Sequence, residues 1–240
     1  MTRRGDAPQS GVMQVTVLFL AAGNGKRFGG EVPKQYQCVN YIPLVVIALN
    51  SLAKESRICA VQPVLAENDG YFTLCLENKS FPFDVLPPVA GGPERAISMA
   101  NGMDALSSDV EWVAVQDAAR PVPSPVLLTR VLDAAQEHGA AVPGIPVHDT
   151  VKRVDKEGRV LQTLDRHGLR AVQTPQVARR EWFDMAIASE RERMHRHTDD
   201  ASMLEAAGFP VFISPGDVNN RKITTPEDMT WLQRYMEVRK

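Results

Sequence analysis

Short apolar runs of strand length alternate along this chain with segments of helical character, and this alternation constrains the fold most. Val15–Leu20 and Trp112–Gln116 are continuous apolar runs, whereas Leu44–Leu52 and Pro93–Leu106 have the length and spacing of helices. Strands joined through helices need crossover connections, which make a sheet mainly parallel. We therefore predict an α/β fold, a Rossmann-like and mainly parallel sheet with helices on both faces.

Three further segments fit the same alternation. Ile58–Leu65 reads as a strand, with Pro63 indicating an irregular or edge position. Ser124 and Pro125 are typical of a helix N-cap and first helical residue. The helix that follows is expected to bury Leu127, Leu128, Val131, Leu132 and Ala135. Ala140–Ile145 is expected to form another strand.

One segment departs from the alternation and predicts a protruding β-hairpin arm at about 147–166. Val151, Arg153 and Asp155 alternate, a turn follows at 156–158, and Val160 resumes the strand. Because a two-stranded ribbon with few apolar side chains is marginal in water, we hypothesise that it packs on a second subunit. A surface hairpin lying on its own domain is the alternative that the pattern leaves open.

Length and composition restrict the class of protein. The 240 residues, 44% hydrophobic and 23% charged, suit one domain at 13–240 behind a disordered tail at 1–12. A net charge of −2 does not indicate a nucleic-acid partner, and no apolar run approaches the ~20 residues that span a membrane. Three cysteines without a C-x-x-C pattern predict buried free thiols in a reducing, cytoplasmic setting.

A glycine loop at 20–30 leaves the first predicted strand directly, and Gly23 and Gly25 would let the backbone approach a phosphate. The dinucleotide fingerprint fails because Phe28 stands where its third glycine belongs, which disfavours an NAD oxidoreductase. The Walker pattern fails at the same place. Arg27 and Lys34 supply the positive charges that phosphoryl and nucleotidyl transfer require, whereas Lys26 is expected to be solvated.

Other charged residues fall where the predicted sheet would gather them. Asp117 directly follows an apolar strand, and one carboxylate with substrate phosphates suffices for Mg²⁺. Arg120 is expected either to bind phosphate or to pair with Asp117. Gly91 and Gly92 open a helix that carries Arg95 and Ser98, a suitable place for a nucleotide. Lys222 precedes a helix start at Thr225, Pro226 and Asp228, and Thr198 lies in a second capping segment.

Taken together, the pieces predict a magnesium-dependent nucleotidyltransferase domain, and they resemble one family in particular. That family is the 2-C-methyl-D-erythritol 4-phosphate cytidylyltransferases of the non-mevalonate isoprenoid route, and the likeness extends from about Val15 to Leu232. The blocks that carry it are Ala21–Arg27 with Pro33–Gln35, Gly91–Arg95, Asp117–Pro121, Val147–Lys152 with Asp165–Arg166, Gln173–Gln176, Thr198–Ser202 and Lys222–Asp228.

The resemblance implies CTP and methylerythritol 4-phosphate as substrates, and CDP-alcohol and pyrophosphate as products. It implies that Arg27 and Lys34 stabilise the transition state, that Asp117 holds Mg²⁺, and that Arg166 and Lys222 position the attacking phosphate. It also implies a homodimer joined by the β-arm, in which Thr150 and Arg166 serve the partner's site. The remaining expected contacts are Ala21, Ala22, Gly23, Gly25, Gly91, Arg95 and Ser98 for the nucleotide, and Arg120, Thr150, Thr174 and Thr198 for the phosphorylated alcohol.

The sequence departs from the family pattern at Gln116, where His is usual, at Pro93, at Asn219, and at Val46–Ile47. Two other functions stay open at this point. One is a ribitol 5-phosphate type of cytidylyltransferase, which shares the glycine loop and the Lys-Ile-Thr-Thr-Pro segment. The other is a non-catalytic nucleotide-binding protein, against which the set Arg27, Lys34, Asp117 and Lys222 argues.

Overall fold

The computed structural model describes residues 12–23 and 32–238, and the predicted alternation is present in the first half of the chain. The elements there are β1 (Val15–Leu20), a 3₁₀ helix (Lys34–Tyr36), β2 (Cys38–Val39), β3 (Ile42–Pro43), α1 (Leu44–Leu52), β4 (Ile58–Leu65), α2 (Phe72–Leu76), β5 (Asp84–Val85), β6 (Val89–Ala90), α3 (Arg95–Asp104), β7 (Trp112–Asp117), α4 (Pro125–His138) and β8 (Ala140–Pro146).

The second half contributes fewer parallel strands. Its elements are β9 (Lys152–Val154), β10 (Val160–Thr163), β11 (Arg170–Val172), β12 (Gln176–Arg179), α5 (Arg180–Glu190), a second 3₁₀ helix (Arg191–Arg196), α6 (Asp200–Ala206), β13 (Phe212–Pro215) and α7 (Pro226–Val238).

The main sheet has the order β11-β8-β12-β7-β1-β4-β5, with β13 beside β8 and β6 beside β4. Strands β7, β1, β4, β5 and β6 pair in parallel, as β13 does with β8. Strand β12 runs antiparallel between β7 and β8, and β11 is antiparallel to β8. The mainly parallel α/β sheet is confirmed, and the inserted antiparallel β12 is a feature that the sequence pattern did not predict.

Side chains of β1 point alternately to the two faces of the sheet. Val17 and Phe19 belong to the apolar core that contains α1 and α4. Leu18 belongs to the core on the other face, with Met99 of α3 and Phe183 of α5. Helices therefore cover both faces, as predicted.

Pro63 occupies an irregular position, although β4 is not at the edge of the sheet. Along one side β4 pairs with β1, including Phe19 with Pro63. On its other side β4 pairs with two short strands, β5 at Ala60 and Val61 and β6 from Val64 onward. Pro63 lies in the gap between these two pairings. The missing N–H of proline thus falls where no neighbouring strand would use it.

Both predicted helix starts are confirmed. Ser124 Oγ accepts a hydrogen bond from Leu127 N at 3.3 Å, and α4 buries the five expected residues. At α7, the Asp228 carboxylate accepts hydrogen bonds from the backbone N–H groups of Thr224 and Thr225 at 2.8 and 3.0 Å.

Strands β9 and β10 form the predicted antiparallel hairpin. Its apolar side chains Val154, Val160 and Leu161 are 50%, 55% and 53% exposed. The hairpin therefore leaves about half of its apolar surface uncovered by its own chain.

Residues 1–11 of the expected tail lie outside the described residues. The three thiols are free, but Cys38 and Cys59 are exposed and Cys75 is half-buried, so the prediction of buried thiols was wrong. Among the described residues, none of the helices combines the length and the apolar character that crossing a membrane requires.

Candidate active site

A pocket of about 470 Å³ lies at the carboxyl ends of β1 and β7, where the sheet rule places ligands. Leu20 and Asp117 are the last residues of these two strands and are directly paired. The residues that line it include Leu20, Ala21, Ala22, Gly23, Lys34, Gln35, Gly92, Pro93, Glu94, Arg95, Ser98, Asp117, Ala118, Ala119, Lys222 and Thr224.

Four charged residues form a chain of alternating charge, and three of them line this pocket. Lys222 Nζ lies 2.6 Å from Asp117 Oδ2, and Arg95 Nε lies 3.0 Å from Asp117 Oδ1. The two terminal nitrogens of Arg95 donate to Asp200 at 2.8 and 2.9 Å. Each contact joins segments that are distant in the sequence, so the tertiary fold assembles this group.

Burial and charge act in opposite directions on the carboxyl groups. Burial raises the pKa of Asp117, but the positive charges of Arg95 and Lys222 outweigh it and hold the pKa well below its usual range. Burial lowers the pKa of Arg95, but the negative charges of Asp200 and Asp117 outweigh burial, so the pKa is raised. Burial dominates at Asp200, whose pKa is raised. Asp117 is thus an anionic oxygen donor throughout the physiological range.

The segment that carries Lys222 is attached to the sheet by buried polar groups. The Asn220 side-chain amide donates to the Thr174 carbonyl at 2.8 Å, and the backbone carbonyl of Asn220 accepts from the Arg120 guanidinium at 2.8 Å. Ile223 N donates to the Ala119 carbonyl at 2.7 Å. These contacts place Lys222 beside Asp117.

Lys34 contacts the same segment. It begins a 3₁₀ helix, and its Nζ donates to the Ile223 carbonyl at 2.7 Å. The neighbouring Gln35 is buried and donates to the Ala21 carbonyl at 2.7 Å. The first loop and the Lys222 segment therefore share one wall of the pocket.

The second glycine turn packs tightly against the first loop. A Cβ on Gly91 would lie 2.4 Å from Ala22 Cβ and 2.8 Å from Ser98 Oγ, so glycine is needed there. Ser98 Oγ accepts a hydrogen bond from Gly92 N at 3.0 Å and fixes the turn. Gly92 lines the pocket, whereas Gly91, which was predicted to contact the nucleotide, is not among the lining residues.

The pocket brings together eight of the predicted site residues: Ala21, Ala22, Gly23, Lys34, Arg95, Ser98, Asp117 and Lys222. Gly25 and Arg27 lie outside the described residues, as does Lys26. The other predicted residues are not among those that line the pocket: Gly91, Arg120, Thr150, Arg166, Thr174 and Thr198.

Two of these outlying residues have other contacts. Arg120 neither pairs with Asp117 nor faces the pocket within the described chain; its guanidinium donates to the carbonyls of Asn220 and Val172. Thr174 is buried, and its Oγ1 accepts from Asp117 N at 3.2 Å, which orients the end of β7. Thr198 is exposed, and the N-cap of α6 is its neighbour Asp199.

Thr150 and Arg166 are exposed on the arm, where Arg166 donates to the His148 carbonyl. In a single chain they do not line the pocket with the other predicted residues.

Sequence reasoning missed Asp200 and Gln35. Both are buried polar residues, and Asp200 was read only as part of a capping segment. Aspartate is rarely fully buried unless it is paired, and the sequence gives no sign of its partner.

Comparison with known proteins identifies the family. Residues 15–238 match the sequence profile of the family described as 2-C-methyl-D-erythritol 4-phosphate cytidylyltransferase. The chain belongs to this family.

The relatives of this chain are of two lengths. The cytidylyltransferase of Pelotomaculum thermopropionicum is 39% identical over 227 residues, which cover 94% of this chain and 95% of that protein. The bifunctional enzyme IspD/IspF of Nitrobacter winogradskyi is 40% identical over 221 residues, 90% of this chain but 54% of that protein. The chain therefore spans about half the length of the bifunctional relatives.

Solved structures agree with the fold. The crystal structure of the Thermus thermophilus cytidylyltransferase matches with a TM-score of 0.75 and 32% identity, covering 94% of this chain and all of that one. The synthase from Anaerococcus prevotii gives a TM-score of 0.81 over 95% of this chain and 100% of that one at 24% identity, which supports the fold alone.

Two departures from the family pattern are accommodated locally. Gln116 is fully buried, and its side-chain amide donates to the carbonyls of Asp117 and Arg120 at 3.1 and 2.8 Å, so it braces the turn after β7. Val46 and Ile47 are buried in the cores around α1 and do not contribute to the pocket. Pro93 lines the pocket beside Gly92.

The chemistry of the donor set fits a magnesium ion. Within residues 12–23 and 32–238, no cluster of three or more His, Cys, Asp or Glu side chains is arranged to hold a metal. Asp117 and Glu94 both line the pocket, and the charges of Arg95 and Lys222 keep Asp117 ionised. Mg²⁺ is commonly held by one or two carboxylates with substrate phosphates and water. A site completed by the nucleotide is consistent with these residues.

Proposed function

We propose that this protein is a cytidylyltransferase that joins CTP and 2-C-methyl-D-erythritol 4-phosphate, giving the CDP-alcohol and pyrophosphate in non-mevalonate isoprenoid precursor biosynthesis. The observation that carries the proposal is the convergence of Lys34, Asp117 and Lys222 in one pocket between two glycine turns. Membership of the family supports the choice of substrates.

In the proposed reaction, a phosphate oxygen of the alcohol substrate attacks the α-phosphorus of CTP. A new oxygen–phosphorus bond forms while the bond to the β-phosphate bridging oxygen breaks, and pyrophosphate leaves with that electron pair. The nucleophile is already anionic, so no side chain has to remove a proton. The protein contributes position and positive charge.

Each part of the pocket has a role in this scheme. The backbone at Ala21–Gly23 and at Gly92 approaches the nucleotide closely, because these residues lack bulky side chains. Lys34 contacts the triphosphate and stabilises the charge that develops on its oxygens, a role that the family resemblance also implies for Arg27. Lys222 is the cation that meets the attacking phosphate.

We also propose that Asp117 holds a magnesium ion together with the nucleotide phosphates. When bound, such an ion offsets negative charge on the phosphate oxygens. Lys222 now occupies Asp117 Oδ2, and its side chain is 40% exposed. Its movement onto a phosphate oxygen, of the nucleotide or of the alcohol substrate, would free that oxygen for the metal.

We further propose a homodimer joined through the β9–β10 arm, with Thr150 and Arg166 reaching the partner's pocket. The exposure of Val154, Val160 and Leu161 supports this, since an arm packed on a partner would bury them. A cytoplasmic location is proposed as well, because exposed free thiols such as Cys38 and Cys59 persist in a reducing compartment.

The test is pyrophosphate release from CTP and Mg²⁺, with methylerythritol 4-phosphate and ribitol 5-phosphate compared side by side. We expect release with the first alone. Release with the second alone would transfer the protein to the sugar-alcohol type. Absence of release with both, from folded protein that binds CTP, would favour a non-catalytic nucleotide-binding protein.

A further inference from the structure

Asp200 is a charged residue that the proposed chemistry does not use. It is 1% exposed, and both of its oxygens accept hydrogen bonds from the terminal nitrogens of Arg95. It is not among the residues that line the pocket. Any effect on the reaction must therefore pass through Arg95.

The position of Asp200 is fixed from the sheet. It is the first residue of α6, next to the N-cap Asp199. The side chain of Gln176 on β12 donates to Asp199 at 3.0 Å and accepts from Ala201 N at 2.8 Å. The two residues that flank Asp200 are thus attached to the central sheet, and its carboxylate points at Arg95 from a rigid base.

This arrangement decides which nitrogens of Arg95 reach Asp117. The guanidinium fork matches a carboxylate with two parallel hydrogen bonds, which is its strongest pairing. The two terminal nitrogens donate to Asp200, and Asp117 receives the hydrogen bond from Nε, at Oδ1. The other oxygen, Oδ2, contacts Lys222, whose side chain is 40% exposed.

We propose that Asp200 is a positioning residue that holds the fork of Arg95 away from Asp117 and so keeps one Asp117 oxygen available to the divalent metal. Without the Asp200 charge, the fork turns to the nearest other carboxylate, which is Asp117, and occupies both of its oxygens. The inference rests on the proposed metal role of Asp117.

The experiment measures how much a metal tightens CTP binding, in the absence of the alcohol substrate. CTP affinity is determined by calorimetry with and without Mn²⁺, and the ratio reports the contact between metal and protein. In Asp200→Asn we expect the metal-dependent tightening to fall about tenfold or more, the usual scale for loss of a group that orients a metal ligand. The affinity for CTP without metal should change little.

A double variant separates this role from plain structural support. In Asp200→Asn with Arg95→Gln no fork remains to capture Asp117, so part of the metal-dependent tightening should return. A structural role alone predicts a double variant as impaired as the single one, or worse. Such a result, or unchanged tightening in Asp200→Asn, overturns the proposal.

A matched control removes a comparable charge elsewhere. Glu55 is 7% exposed and pairs with Arg57 at 3.0 Å. It precedes β4 at the opposite end of the strands. Glu55→Gln should lower thermal stability as Asp200→Asn does, but leave the tightening by Mn²⁺ at the wild-type value.

Two further results bear on the role of Asp200 and of the metal. If Asp200→Asn does not fold, Arg95→Gln is compared with the double variant. Mn²⁺ should tighten CTP binding equally in these two variants, because both lack the Arg95 guanidinium. A tenfold difference between them in this tightening overturns the proposal. If Mn²⁺ does not tighten CTP binding to the wild-type protein, the inference fails with the metal role. The cytidylyltransferase proposal is judged separately, by pyrophosphate release.

Discussion

Lys222 Nζ lies 2.6 Å from Asp117 Oδ2, although 105 residues separate the two in the chain. The contact pairs Lys222, which precedes α7, with the carboxylate at the end of β7. It keeps both charges satisfied before any phosphate arrives. The same contact makes Lys222 the residue whose replacement should report on the attacking substrate.

Replacing Lys222 with alanine should lower kcat/KM for the phosphorylated alcohol roughly 10- to 100-fold, because a hydrogen bond to a charged group contributes about 1.5–3 kcal/mol. The KM for CTP should change much less. Steady-state pyrophosphate release, with each substrate varied in turn, checks this. Lys54→Ala, an exposed lysine near the start of β4, is the control and should be unaffected. An effect confined to CTP would contradict the assigned role.

Replacing Lys34 with alanine should lower kcat by roughly 10²–10³, the usual cost of losing one preorganised donor to a developing charge. The loss of its hydrogen bond to the Ile223 carbonyl should cost only about 1 kcal/mol of stability. Single-turnover kinetics and thermal unfolding, measured on the same preparation, separate the two effects. Near-normal turnover would show that Lys34 does not contact the triphosphate.

Replacing Gly91 with alanine should weaken CTP binding and destabilise the fold by about 1–3 kcal/mol, because the new Cβ would lie 2.4 Å from Ala22 Cβ. The two loops on either side of the nucleotide would have to separate. CTP titration and denaturant unfolding measure both effects. Gly70→Ala is the matched control, since a Cβ there meets nothing within 4 Å. Equal behaviour of the two variants would disprove the close-packing argument.

The stability that Asp117 contributes should depend on pH in one direction. Its folded-state pKa is depressed, so the contribution is fully present above the unfolded-state pKa of about 3.9 and is lost as pH falls below it. The difference in free energy of unfolding between wild type and Asp117→Asn should be constant from about pH 5 to 8 and should shrink below about pH 4. Urea unfolding over this range tests it; a difference that grows in acid would be inconsistent with the assigned charge.

Two inactive variants should complement each other if the arm serves the partner's pocket. Arg166→Ala is defective in the arm and Lys34→Ala in the pocket, so a mixed dimer contains one intact site. After equal mixing and re-equilibration, roughly a quarter of the sites should regain activity, as expected for random pairing in a two-fold dimer. Each variant alone is the control. Absence of recovery in a verified mixed dimer would mean that each arm serves its own chain.

Several parts of the site were predictable because they depend on local patterns. Asp117 follows an apolar strand, and the glycines of the first loop follow another, so the sheet rule alone brings them to one edge. Ser124 acts as the N-cap of α4, and Asp228 makes the capping-box hydrogen bond to Thr225 N, as their spacing indicates. The sequence did not show whether Gly91 or Gly92 lines the pocket. Only the packing of Gly91 against Ala22 and Ser98 decides this.

What the sequence by itself determined is the alternation of strands and helices, the caps and the charged residues beside the glycine turns, since hydrophobic periodicity and backbone chemistry act over a few residues. The tertiary structure decided the antiparallel insertion of β12, the exposure of Cys38 and Cys59, and the pairing of Arg95 with Asp200. These depend on how distant segments stack on the sheet. A buried ion pair exists only where packing excludes water and brings two distant chain segments within hydrogen-bond distance, and no local pattern encodes that meeting.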